Sequence, residues 1–163
     1  MVVGCNFCPF ASREISRNSV HYQVVTGTSV EICLKAFLLE CIRLDENESI
    51  ETCFLIFPNA FKSFDDYLDM VALSEKLLKQ EGYEGVYQVA SFHPLYCFSG
   101  APLNDPANYT NRSPYQMLHL LREESIEVAL KRYVDPEQIP ERNMKFAREK
   151  GLVYMKMLRD NCF

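Results

Sequence analysis

The chain has 163 residues, a hydrophobic fraction of 48%, a charged fraction of 24% and a formal net charge of -5. Residues 1–163 therefore read as one globular domain, long enough to bury about two-thirds of its unfolded surface. Acids and bases are interspersed, which argues against nucleic acid or anionic membrane as the main partner, since both need a basic face. No apolar stretch approaches the roughly 20 residues needed to cross a bilayer.

The N-terminus, Met-Val-Val-Gly-Cys-Asn, lacks the basic region and long apolar core of a secretory signal. Val20 to Val25 reads as a strand, and Thr28 with Glu31 forms a capping box that opens a helix. The apolar stripe of that helix is Val30, Cys33, Leu34, Phe37, Cys41 and Leu44. Thr52 to Phe57 is a near-continuous apolar run, the pattern of a strand buried on both faces. Ser63 and Asp66 cap a second helix with Phe64, Tyr67, Leu68, Val71 and Leu78 on its stripe, and Gly82 is placed to end it. Gly85 to Phe92 is a third strand, and Pro94 keeps His93 out of a helix.

Leu95 to Thr110 is loop-like. A helix is then expected from Pro114 to about Tyr133, with Ser113 and Gln116 as its capping box. Asp135-Pro136 starts a turn, Pro140 opens another helix, and Gly151 breaks it before a last amphipathic piece carrying Leu152, Met155 and Leu158. The expected fold class is α/β: a single domain with a small, largely parallel βαβαβ sheet and C-terminal helices packed on it.

The seven cysteines are odd in number. Cys33, Cys41 and Cys53 sit at apolar positions, where a thiol behaves as a small hydrophobe. That usage points to a reducing cytoplasm. Cys5-Asn-Phe-Cys8 has the spacing of zinc and dithiol sites but no second ligand pair, so neither a metal nor another cofactor is expected.

Cys8 paired with His93 is the sharper possibility, because a nucleophilic thiol needs a base within hydrogen-bond reach. His93 stands at the carboxyl end of the third strand, the side on which open parallel sheets bind ligands. Its bland alternative is a hydrogen bond to a loop carbonyl. Arg112, in a polar loop, could hold a carboxylate or phosphate. Arg122 and Arg142 could complete an anion-binding set with it or pair internally with Glu123, Glu137 or Glu141, and His119 could simply pack among Leu118, Leu120 and Leu121.

At Gly4-Cys-Asn-Phe-Cys-Pro-Phe-Ala11, Gln88-Val-Ala-Ser-Phe-His-Pro94, Asn108-Tyr-Thr-Asn-Arg-Ser-Pro-Tyr115, Met117-Leu-His-Leu-Leu-Arg-Glu123 and Pro136-Glu-Gln-Ile-Pro-Glu-Arg-Asn143, the chain resembles an uncharacterised bacterial family, the domain of unknown function 1415. The resemblance runs over essentially the whole chain and implies a small stand-alone bacterial protein, with no established activity, substrate or cofactor. Cys8, His93, Asn108, Asn111, Arg112, His119, Arg122, Glu123 and Asn143 fall on matching family positions. The position of Cys5 is commonly leucine in the family and that of Gln116 commonly proline. Family members also tend to begin earlier, which implies a late start for this N-terminus.

Two functions follow as expectations. One is an enzyme acting on a small anionic or acyl substrate, with Cys8 and His93 catalytic. Asn108, Asn111, Arg112, His119, Arg122, Glu123 and Asn143 would then bind the substrate. The other is a non-catalytic binding or assembly protein in which the same groups form a structural network. Nothing in the sequence specifies an oligomeric state.

Overall fold

A computed structural model describes residues 1–131 and 133–162. Among these residues the α-helices are α1 (Ala11–Ser16), α2 (Val30–Glu46), α3 (Phe64–Gln80), α4 (Glu123–Leu130) and α5 (Ile139–Asp160). The strands are β1 (Val20–Val24), β2 (Thr52–Phe57), β3 (Tyr87–Phe92) and β4 (Gln116–Arg122), hydrogen-bonded in the order β1-β2-β4-β3.

The first half follows the local signals. Ser29, one residue beyond the expected Thr28, caps α2 by accepting from the Ile32 N–H at 3.3 Å. Cys33, Phe37, Cys41 and Leu44 are buried along its inner face. Ser63 is the N-cap of α3 but makes no side-chain capping bond, and Leu68 on the expected stripe is exposed. Gly82 ends α3 with φ +79°. The Tyr83 N–H then reaches the Leu78 carbonyl at 2.8 Å and the Gly82 N–H reaches that of Lys79, which is the Schellman pattern.

The expected helix from Pro114 is not formed. Residues 116–122 are instead β4, inserted between β2 and β3 and antiparallel to both. The sheet is therefore mixed, with only the β1–β2 pair parallel, and the largely parallel arrangement is overturned. Short apolar runs do not separate helix from buried strand by periodicity. What decides here is the slot between two strands, where both sides of the β4 backbone find partners. Ser113 caps nothing; its hydroxyl donates to the Tyr115 carbonyl.

The sheet alternates as strands must. Cys53, Leu55, Phe57, Tyr87, Leu118 and Leu120 join α2 and α3 in the main core. A second cluster of Phe7, Tyr109, Ala147 and Met155, with Phe146 against it, joins the N-terminal segment to α5 and to a 3-10 helix over Pro106–Thr110. Asp105 caps that helix by accepting from the Ala107 N–H at 2.9 Å. Gly151 kinks α5 at φ 78° and ψ 164°, as its position in the sequence suggested.

Candidate functional site

The candidate residues separate by what their polar atoms touch. His93 is fully buried beyond β3. The Leu95 N–H donates to its Nδ1 at 2.9 Å, so Nε2 carries the ring proton and donates to the Phe61 carbonyl at 2.9 Å. Burial lowers its pKa, which reinforces the neutral form. With one nitrogen accepting and the other donating, His93 has no free lone pair for a thiol proton. Its role is to hold the turn at Pro94.

Asn108 does similar work in the following loop. Its Oδ1 accepts from the Phe98 N–H at 3.0 Å, and its Nδ2 donates to the Pro102 carbonyl at 3.0 Å. Asn111 donates to the Ser91 carbonyl at 3.2 Å, while its own carbonyl accepts from the His93 N–H. Arg112 donates from Nε to the Tyr96 carbonyl at 3.0 Å and from Nη2 to the Leu103 carbonyl at 2.8 Å, and lies 4.7 Å from the Tyr109 ring centre. These groups converge, but on the loop itself.

Arg122 forms no ion pair with an acid among the described residues. Its Nη2 donates to the carbonyl of Leu44, in the last turn of α2, and to that of Ile50 in the loop ahead of β2. Asp45, on the same turn, accepts from the hydroxyls of Tyr83 and Tyr87 at 2.6 Å each, which pushes the Tyr83 pKa up to about 12. Asn143 donates to the Phe7 carbonyl at 2.6 Å, and Arg142 to that of Asn6 and to the Tyr133 hydroxyl. Glu123 starts α4, its N–H on the Val86 carbonyl, and lines a surface cavity with Lys79, Glu84 and Gln88. Cys8 is partly buried ahead of α1, which begins at Ala11 and not at Pro9.

His119 is different. It stands in the middle of β4 on the sheet face away from α2 and α3, opposite Phe54 on β2 and Ala90 on β3. Its ring stacks on Phe54 with centres 3.9 Å apart, and Phe54 stacks in turn on Tyr22 of β1 at 5.7 Å. The Thr52 hydroxyl donates to the Leu120 carbonyl at 2.7 Å, so it must accept from His119 Nε2–H at 2.6 Å. Nδ1 is then a lone pair with no protein partner among the described residues. Only His21 Nε2 is both buried and unpaired among the described residues, so His119 Nδ1 keeps some accessible surface. Surrounding protein lowers the His119 pKa to about 3, although the ring keeps part of its surface accessible.

The match to a family model for a "Protein of unknown function (DUF1415)" covers residues 1–157. The chain belongs to that family. Neither a curated protein nor a solved structure matches it.

Membership in DUF1415 agrees with the resemblance read from the five segments, and brings no activity with it. Thr52, Phe54 and Tyr22 were missed in the sequence because their partner His119 was placed on a helix. Alternation along 116–122, with Gln116, Leu118 and Leu120 buried and Met117 and His119 partly exposed, is the signal that would have found them. No helix among the described residues is long and apolar enough to cross a membrane.

Proposed function

We propose that this protein binds a small planar molecule on the outer face of its sheet. The ligand presents an N–H or O–H donor to His119 Nδ1 and a flat face to the row of Phe54 and Tyr22. The observation that carries the reading is the single free lone pair of a histidine whose other nitrogen is tied to Thr52. A ring with a pKa of about 3 is a weak proton acceptor but a sound hydrogen-bond acceptor near neutrality, which favours binding over general-base catalysis. Met117, Ile56 and Phe92 supply further partly exposed apolar surface beside it. The Cys8 nucleophile is the weaker alternative, because His93 has no lone pair to offer it. The proposed setting is the reducing bacterial cytoplasm, consistent with seven cysteines that are all free thiols.

Thermal-shift titration with indole, benzimidazole and adenine as probes tests the reading. At least one should raise the melting temperature and move the His119 Nδ1 resonance, and a His119→Phe variant should lose that response while keeping the ring stack. Equal responses in the two proteins, or none in the wild type, would overturn it.

A further inference from the structure

On the opposite, helix-facing side of the sheet, three metal-ligating groups from three elements meet. His21 and Cys53 are cross-strand partners in β1 and β2, and Glu40 reaches them from α2. Glu40 Oε2 lies 3.5 Å from His21 Nε2 and 3.3 Å from Cys53 Sγ, and the three ligand atoms fall within 4.8 Å of one another. A zinc ion bound at about 2.0–2.3 Å sets tetrahedral ligands roughly 3.3–3.7 Å apart. The two short edges are already near that spacing.

An independent observation points to the same place. His21 Nε2 is buried with no hydrogen-bond partner among the described residues, a costly state for a ring nitrogen. Glu40 is 2% exposed, and acids are rarely so buried without a strong counter-charge. Its cation in this structure is Arg43, at 2.9 Å on the same oxygen. The Arg43 side chain is 45% exposed, so it can turn outward and leave the oxygen to an ion.

We propose that His21, Glu40 and Cys53 form a binding site for zinc. A thiolate and a carboxylate cancel the ion's two positive charges, making a neutral buried unit, and zinc takes imidazole, thiolate and carboxylate together. Glu40 also lines a surface groove with Gln23 and Arg43, which gives solvent a route to the cluster. Binding releases the Cys53 thiol proton to solvent, so affinity rises with pH. The Cys5-x-x-Cys8 pair takes no part.

Cobalt titration of metal-free protein tests the site. One cobalt per chain should bind with a thiolate-to-cobalt charge-transfer band, and zinc should displace it. Cys53→Ser should abolish the band, and His21→Gln should weaken binding by about an order of magnitude or more. A Cys5→Ser/Cys8→Ser double variant should behave as wild type. Circular dichroism checks each fold. If Cys53→Ser does not fold, the cadmium-113 resonance of the wild type still reports whether one thiolate ligates the ion. Absence of a charge-transfer band in the wild type, its survival in folded Cys53→Ser, or its loss in the double variant would overturn the proposal.

Discussion

Thr52 decides which nitrogen of His119 is available. Its hydroxyl has one proton, which goes to the Leu120 carbonyl, so the 2.6 Å contact with His119 Nε2 is donated by the ring. The imidazole is thereby held in one tautomer, with the Nδ1 lone pair unpartnered among the described residues. Thr52→Val should release that constraint. The expected result is a second His119 tautomer in nitrogen NMR, with stability reduced by about 1 kcal/mol. A single unchanged tautomer in the variant would show that Thr52 does not set it.

Stability should fall on mild acidification through the same residue. The folded pKa of His119 is lowered to about 3 from 6.5, so between those values the unfolded chain binds the proton and the folded chain does not. The contribution is fully present above pH 6.5 and is lost as pH falls toward 3, at up to about 1.4 kcal/mol per pH unit. Urea unfolding from pH 7 to 5 should show this slope, and His119→Phe should flatten it. Parallel pH profiles in the two proteins would contradict the shift.

Arg122→Ala should be among the more damaging single changes outside the core. It strands the Ile50 carbonyl ahead of β2, leaves the Leu44 carbonyl in the last turn of α2 only its 3.4 Å bond from the Asn47 N–H, and removes a cation 5.8 Å from the Tyr87 ring. A loss of about 2–4 kcal/mol is expected. Hydrogen exchange should rise in the last turn of α2 ahead of the rest of that helix. A loss below about 1 kcal/mol would mean that water replaces the guanidinium freely.

Arg112 separates anion binding from loop bracing. Two guanidinium nitrogens already serve the carbonyls of Tyr96 and Leu103. Arg112→Ala should cost about 1.5–3 kcal/mol. Phosphate, sulfate and acetate should shift the melting temperature of wild type and variant alike. An anion that stabilises only the wild type would restore the anion-site expectation.

Gly151→Ala should destabilise α5 by about 1–3 kcal/mol, because φ 78° with ψ 164° is a conformation open essentially to glycine alone. Nothing lies within 4 Å of an added Cβ, so any loss measured by denaturant unfolding comes from the backbone and not from a clash.

Local chemistry alone determined much of this molecule. The run Thr52–Phe57 is β2 as read, ended by Pro58, but it is not buried on both faces: Phe54 and Ile56 on the side away from the helices are only partly covered. The α2 stripe from Cys33 to Leu44, though not exposed Val30, and the two breaks at Gly82 and Gly151 were equally legible, since spacing and glycine's tolerance of positive φ act within a few residues. Tertiary structure decided the rest. Gln116 to Arg122 carries leucines that suit a helix, and became β4 only because β2 and β3 leave a strand-wide gap whose backbone groups need partners on both sides. That one change moved His119 from a helix face to the centre of a sheet, where distant Thr52 orients it and distant Phe54 floors it. The meeting of His21, Glu40 and Cys53 has the same origin: no spacing rule joins them, and only the parallel pairing of β1 with β2 beneath α2 puts their ligand atoms together.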